Sequence, residues 1–312
     1  MIILPVQTSF VLEPISPFRL DLTVWTLRRR PDNVVDRWDG QTYRRILVDD
    51  DGPFEIAVTQ LDEPGGTQLR IFATRDLANS DVKAYVTAAL GHLIGIRVDL
   101  TKFYHFSARD EVLGSLVNQF RGVKPPRFPT TFEALVNAIA CQQLSLTVGI
   151  HLLNRLAETY GPIVETEAGI FHAFPRPQEL ADVDLEELRG MGFSYQKARY
   201  LTGLAQAIIG KQFNLDEIQM LDDKKAVNRL CSLNGVGRWT AEYFLLRGLG
   251  RTHIFPGDDV GARNHLQRWL SLSESINYDG VHKAILGWDG YGGLVYFHLL
   301  LKSLVENGII SY

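Results

Sequence analysis

The sequence predicts an α+β fold: a small antiparallel sheet domain with one covering helix over residues 1–105, followed by an all-α region over residues 106–312. Up to about residue 105 the apolar residues recur mainly at every second position, the period of a half-buried strand. Beyond it they recur at every third and fourth position, the period of a helix face. The helical region is centred on Leu233-Asn234-Gly235-Val236-Gly237-Arg238-Trp239-Thr240-Ala241, where two glycines one residue apart separate two helical stretches. That pattern predicts a helix-hairpin-helix at about 224–248.

Leu20, Leu22 and Val24 alternate with polar neighbours and predict a first strand, ending at Arg28-Arg29-Arg30. A charge run at a strand end reads first as solvated, with contact to phosphates as the alternative. Tyr43 to Val48 and Phe54 to Thr59 predict a hairpin around Asp49-Asp50-Asp51-Gly52. Leu69, Ile71 and Ala73 continue the alternation after Pro64-Gly65-Gly66, and Val82, Tyr85, Val86, Ala89, Leu90 and Leu93 share a helix face. Antiparallel strands followed by a helix imply a sheet covered on one face. Lys124-Pro125-Pro126-Arg127-Phe128-Pro129 is a stiff connector into the helical region. Thr130 with Glu133, and Asp184 with Glu187, have the spacing of capping boxes. The helix that Thr130 opens carries Leu135, Val136 and Ile139, meets the polar Cys141-Gln142-Gln143-Leu144-Ser145, and goes on through Leu152, Leu156 and Tyr160. Ser194 caps a helix bearing Lys197, Ala198, Leu201, Ala205 and Ile208, and Leu294 to Val305 is apolar enough for a core helix.

Composition narrows the possible partners. The 312 residues are 46% hydrophobic, enough for two ordinary domains, and the net charge of −4 excludes a polybasic coat for DNA. Any nucleic-acid surface must therefore be local, built from clustered Arg and Lys and from backbone amides. Cys141 and Cys231, beside apolar helical positions, read as buried thiols of a reducing compartment. Two cysteines cannot supply a four-thiolate cluster, and no Cys/His group has zinc spacing, so no metal is expected. Met1-Ile2-Ile3-Leu4-Pro5 lacks the charged and long apolar regions of a signal peptide, and no stretch approaches a membrane span. A cytoplasmic location, nucleoid-associated in a bacterium or archaeon, is the expectation.

In the hairpin, Gly235 and Gly237 permit positive φ and close backbone approach. The amides that follow head a helix, where partial positive charge favours a phosphate, so Gly235, Val236, Gly237 and Arg238 are candidates for gripping a nucleic-acid backbone. An ordinary glycine-ended helix with a tight turn is the plain alternative. Some twenty residues on, Phe255-Pro256-Gly257-Asp258-Asp259-Val260 delivers two aspartates to a helix start. One of them suffices as a cap, which leaves the other free. A carboxylate there suits stabilising a developing sugar cation or activating a water during N-glycosidic cleavage.

Leu233 to Ala241 followed by Asp259 resembles the helix-hairpin-helix–Gly/Pro–Asp superfamily of base-excision DNA glycosylases, and within it the 3-methyladenine DNA glycosylase II (AlkA-type) branch. The resemblance covers about residues 106 to 305. It is carried by Ala138 to Ser145, Gly192-Phe193-Ser194 with Lys197-Ala198, Gly235 to Ala241 with Tyr243-Phe244, Leu246-Arg247-Gly248, and Pro256-Gly257-Asp258-Asp259. It implies that Asp259 is the catalytic carboxylate, with Asp258 beside it in the base pocket. Trp239 and Tyr243, four apart on one helix, match the aromatic wall of that pocket, suited to cationic N-alkylated purines through cation–π attraction. Gln143 falls where the family inserts a side chain into the base stack, against a plainer reading of Gln142-Gln143 as amides bonding helix ends. The implied partner is double-stranded DNA containing damaged bases, with no cofactor, no membrane and a monomeric enzyme.

Trp239 also stands where bifunctional members carry a Schiff-base lysine, which implies a monofunctional hydrolase. Where the branch has a further pocket tryptophan this chain has Leu300, with Tyr296 and His298 close by, so the pocket is expected to differ in shape. Two rivals remain at this level: a glycosylase for deaminated or oxidised bases on the same scaffold, and a non-catalytic damaged-DNA-binding protein.

Overall fold

The computed structural model describes residues 9–63, 66–166 and 168–311, so Met1-Ile2-Ile3-Leu4-Pro5 and the Pro64-Gly65 turn lie outside the described residues. The N-terminal part comprises β1 (Ser9–Leu12), α1 (Leu20–Arg28), β2 (Arg37–Trp38), β3 (Thr42–Asp49), β4 (Gly52–Glu63), β5 (Gly66–Ala73) and α2 (Ser80–Leu93). The strands form one antiparallel sheet in the order β1-β5-β4-β3-β2. The hairpin turns at Asp49-Asp50-Asp51-Gly52 as expected, with Asp49 opposite Gly52 and Tyr43 opposite Val58. Strand alternation sends Tyr43, Leu47, Phe54, Ile56, Val58, Leu69, Ile71 and Ala73 into one core, which α2 covers with Val82, Val86, Leu90 and Leu93.

After α3 (Thr101–Ser107) and α4 (Glu111–Gln119) the proline-rich connector leads to α5 (Thr131–Cys141) and α6 (Leu146–Tyr160). A hairpin of β6 (Ile163–Thr166) and β7 (Gly169–His172) follows, then α7 (Pro177–Leu180), α8 (Leu185–Gly190) and α9 (Tyr195–Ile209). The chain closes with α10 (Asp223–Leu230), α11 (Arg238–Arg247), α12 (Val260–Trp269), α13 (Tyr278–Ala284) and α14 (Gly292–Glu306). Two buried clusters hold the molecule together. The larger joins the sheet and α2 to α5, α6, α9 and α11; the smaller joins Leu22, Leu100 and Phe103 to α12 and α14. Among the described residues no helix is long and apolar enough to cross a membrane.

Several elements depart from the sequence reading. Leu20, Leu22 and Val24 lie on a helix, α1, and not on a strand. The alternation arose because α1 is buried on two sides: Leu20, Val24 and Leu27 face the larger core, and Leu22 the smaller. Arg28 and Arg29 are buried, so these two are neither solvated nor free for phosphates, whereas the partly exposed Arg30 pairs with Asp32 at the edge of the cleft. Arg28 donates to the carbonyls of Arg30, Pro31 and Trp38 around the end of α1. The β6–β7 hairpin interrupts the helical region and packs against β4, with Arg37 3.7 Å over the Phe171 ring. Cys231 is exposed rather than buried, because it follows α10 on the outer side of the hairpin turn, whereas Cys141 is partly covered. The helix through Gln142 breaks, with Gln143 at φ 55°, before Ser145 caps α6.

The two capping boxes form only by half. Thr130 accepts from the Glu133 amide at 3.1 Å, but the Glu133 carboxylate receives Arg45 Nη2 at 2.6 and 2.7 Å instead. Asp184 caps α8, while Glu187 accepts from Tyr160. Arg45 projects from the inner face of β3 and also donates to Asp36 at 2.6 Å, so a fully buried ion triad ties the sheet to α5. Removing one member of such a cluster strands the others in a medium that solvates them poorly. Glu133→Ala is therefore expected to cost about 3–5 kcal/mol in denaturant unfolding. Replacing Arg45, Asp36 and Glu133 together by apolar residues of similar size should cost clearly less. A larger loss in the triple variant would show that the triad itself, and not its satisfaction, holds the interface.

Candidate active site

The site is built around α11. Every residue from Thr240 to Arg247 is buried, so the polar ones must find partners inside the protein. α10 and α11 form the expected hairpin. Its turn holds Gly235 at φ +83°, where an added Cβ would fall 2.2 Å from the Tyr200 ring. Gly237 differs from expectation. It lies at φ −97°, ψ 179° as the N-cap of α11, because the chain has already turned at Gly235. Its missing side chain leaves open space in front of the first amides of α11, with nothing within 4 Å of a built Cβ.

Gln142 bridges the two halves of the site. Its amide Nε2 donates to the Gly235 carbonyl at 2.7 Å and to Thr240 Oγ1 at 2.6 Å. The reading of amides bonding helix ends thus holds for Gln142, and Gln143 beside it is exposed at the open edge of the cleft. Lys197 closes the end of α5 by donating Nζ to the carbonyls of Ala140 (2.9 Å) and Gln142 (2.6 Å). Burial pushes its ammonium below the ordinary lysine range.

A cleft of about 1350 Å³ opens between the hairpin, the Gln142–Ser145 loop and α12 with α14. Asp258, Asp259, Trp239, Tyr243, Tyr296 and Leu300 all line it. The two aspartates divide their tasks differently from the sequence reading. Asp259 is itself the N-cap of α12, accepting from the Ala262 amide on Oδ1 at 2.9 Å. Asp258 is not the cap: it turns outward to Arg238, with Oδ2 2.7 Å from Nε. The reason is backbone direction. Asp259 occupies the extended position that precedes the helix, so only its side chain can reach back to the third helical amide.

Capping uses one oxygen and leaves the other facing the cleft. Asp259 Oδ2 accepts from Tyr296 Oη at 3.0 Å and lies 3.3 Å from Trp239 Nε1. Burial, reinforced by the Asp259 charge, raises the Tyr296 phenol well above its ordinary pKa and keeps it a donor. Trp239 and Tyr243 stand with ring centroids 5.4 Å apart at 35°, forming one wall. Leu300 also lines the cleft, whereas His298 faces the interior, its ring against Phe103 and Phe120.

Arg238 is exposed and lies between Asp258 and Tyr278, 3.6 Å over the latter's ring. Tyr278 donates to Glu242 Oε1 at 2.6 Å, and Glu242 Oε2 accepts from the Gly257 amide at 3.3 Å. Glu242, whose carboxyl burial pushes upward, thereby anchors the Pro-Gly turn that carries both aspartates. The sequence reading passed over Glu242, although an acid between Ala241 and Tyr243 in an otherwise apolar helix was a visible signal. It also passed over Tyr278, for which no local signal existed. Among the described residues no group of His, Cys, Asp and Glu is arranged to hold a metal ion.

The sequence pattern of the HhH-GPD superfamily base excision DNA repair proteins matches residues 136–288. DNA-3-methyladenine glycosylase 1 of Schizosaccharomyces pombe is 32% identical over 164 residues, covering 51% of this chain and 68% of the relative. The chain belongs to the HhH-GPD superfamily. It spans about two thirds of the length of the first curated relatives it matches. The fold is similar over almost its whole length to a 3-methyladenine DNA glycosylase from Archaeoglobus fulgidus, with TM-score 0.82, 25% identity and coverage of 94% and 97% of the two chains. It is also similar to the Schizosaccharomyces pombe 3-methyladenine DNA glycosylase in complex with abasic DNA, with TM-score 0.54, 28% identity and coverage of 64% and 95%.

The two hairpin glycines should separate in a stability measurement. Gly235→Ala forces a methyl into Tyr200 at a left-handed φ and is expected to lower the melting temperature by about 2–8 °C. Gly237→Ala meets no atom and should change stability by less than about 1 kcal/mol, the difference between those residues as an N-cap. Equal losses in thermal melts would show that Gly237 is also sterically required.

Proposed function

We propose that the chain is a monofunctional DNA glycosylase of base excision repair, which takes an alkylated purine such as 3-methyladenine or 7-methylguanine flipped from duplex DNA and hydrolyses its N-glycosidic bond. The observation that carries the reading is Asp259: one carboxylate oxygen caps a ten-residue helix and the other faces a cleft walled by Trp239 and Tyr243. The names of the relatives support the same chemistry.

In this reading the hairpin amides and the open space at Gly237 receive a backbone phosphate without reading bases. Gln143 fills the place of the extruded nucleotide, and the base stacks on Trp239 beside Tyr243. Bond cleavage sends the bonding pair to the base. A purine that is cationic by alkylation leaves neutral and requires no general acid. Positive charge grows on the sugar and is met by Asp259, which sits among helix-end amides and fixed donors. Water then bonds to C1′ on the opened face and releases a proton. The enzyme acts as a monomer on damaged duplex DNA, and the pure binding role is disfavoured because it leaves the cleft-facing oxygen of Asp259 without a task.

Asp259→Asn tests the assignment cleanly, since asparagine caps a helix as well as aspartate and the fold should survive. Base release in single-turnover assays should fall by at least about a hundredfold, the scale of losing one electrostatic element of a transition-state site. Binding to a duplex with a stable abasic mimic should persist. Asp258→Asn removes a half-exposed ion pair, which contributes at most about 1 kcal/mol, and should be far milder for release. A dead Asp258 variant beside an active Asp259 variant would reverse the roles.

Hydrolase and lyase are separated by borohydride. Lys197 is the one lysine lining the cleft among the described residues, and its Nζ is spent on two carbonyls. Borohydride added during turnover should trap no protein–DNA adduct, and the strand should break only after alkali. A trapped adduct would overturn the monofunctional reading, with Lys197 the first amine to replace.

A further inference from the structure

Behind the aromatic wall stands a charge that neither the family motifs nor the proposed mechanism uses. Arg29, the first residue after α1, takes φ 63° and thereby turns its side chain from the sheet domain into the floor of the cleft. It is 5% exposed. Nη1 donates to Tyr243 Oη at 2.9 Å and Nη2 to Asn137 Oδ1 at 2.7 Å, while Nε has no acceptor. Among the described residues no carboxylate lies within ion-pair distance of it. Arg247, also fully buried, stands behind the Tyr243 ring, 5.8 Å from its centroid, and donates to the carbonyls of Thr26 and Leu27. The floor therefore carries one guanidinium, that of Arg29, with no anionic partner in contact, and a second stands behind it.

This fixes the sense of the Tyr243 hydroxyl. A phenol offers one proton and accepts in the plane of its oxygen. With Arg29 donating to that oxygen, the proton of Tyr243 points elsewhere, and the hydroxyl serves its remaining neighbour as a donor polarised by a cation. This donor lies in the plane of the Tyr243 ring, so a base stacked on Trp239 would meet it with its edge. An exocyclic carbonyl accepts from it, whereas an exocyclic amino group presents its own hydrogens and leaves both donors facing one another.

We propose that Arg29 and Tyr243 together form a hydrogen-bond donor at the cleft floor that selects purines bearing a 6-oxo group over those bearing a 6-amino group. The inference rests on the glycosylase reading above and refines its substrate class: 7-methylguanine and hypoxanthine gain at this floor, and 3-methyladenine does not. Positive charge behind the wall also opposes a cationic base, offsetting part of the cation–π attraction that Trp239 supplies. Of the three, 7-methylguanine alone combines a 6-oxo group with the positive charge that the aromatic wall attracts.

The test measures single-turnover release from duplexes carrying one 7-methylguanine, 3-methyladenine or hypoxanthine, in wild type, Tyr243→Phe and Arg29→Met. Comparing each variant with wild type on the same lesion cancels the intrinsic leaving-group differences. Tyr243→Phe keeps the ring and its stacking while deleting the donor. It should lower the ratio of 7-methylguanine to 3-methyladenine release by about tenfold, the scale of one charge-assisted hydrogen bond, and lower hypoxanthine release in step with 7-methylguanine. Arg29→Met should shift the ratio in the same direction. Should that variant fail to fold, Tyr243→Phe decides by itself, its circular dichroism melt confirming an intact protein. Equal fractional losses on all three lesions would overturn the inference and leave the glycosylase reading standing. No release of any lesion by the wild type would overturn both.

Discussion

The rest of the structure depends on the burial of α11 on every side. A helix in that position can keep polar residues only if each is answered by a hydrogen-bonding group from a neighbouring element. Thr240 is answered by Gln142 at the end of α5, Glu242 by Tyr278 and the Gly257 amide, Tyr243 by Arg29, and Arg247 by the last carbonyls of α1. Partners from four segments, the ends of α1 and α5, the Pro-Gly turn and α13, thus converge on one ten-residue helix. The sheet domain, the α5–α6 loop and the Pro-Gly turn are each positioned by a polar contact with the same helix, while apolar packing supplies most of the stabilisation. A core that were purely apolar along α11 would hold these segments together with far less directional specification.

Asp259 shows how a helix cap and a reactive group coexist in one side chain. A cap demands an extended backbone and one oxygen over the third amide, and it asks nothing of the other oxygen. That second oxygen is held by Tyr296 and Trp239, both themselves fixed by packing on α14 and α11. The carboxylate is therefore preorganised by groups that serve the fold in their own right. Asp258 makes the exposed ion pair to Arg238, while Glu242 holds the turn against α11.

Much of this architecture was legible in the sequence. The antiparallel strands, the covering helix α2, the hairpin and the Pro-Gly-Asp-Asp turn all declare themselves by period or by spacing, because each follows from local backbone rules. What was not legible depends on burial from two sides or on distant partners. α1 mimics strand alternation because it separates two cores. Arg28 and Arg29 look like a solvated run because nothing near them in sequence announces that α11 and Asn137 will cover them. Glu133 has the spacing of a capping box, yet Arg45, eighty-eight residues earlier, outcompetes the local amide for its carboxylate. The family resemblance singled out Trp239, Tyr243, Asp258 and Asp259, which do line one cleft. The residues that hold them there, Glu242, Tyr278 and Arg29, come from packing rather than motif.

Gln142 sets a measuring function in the molecule. Its single amide nitrogen bonds both the Gly235 carbonyl in the hairpin turn and Thr240 on α11, while the next residue, Gln143, stands exposed at φ 55°. The offset between the hairpin turn and Gln143 is thus a rigid distance, independent of the length or softness of the loop between α5 and α6. On the reading proposed above, a hairpin seated on one phosphate determines which nucleotide step Gln143 enters. The protein then works as a gauge with two fixed points, and only a duplex that can deform between them presents a base to Asp259.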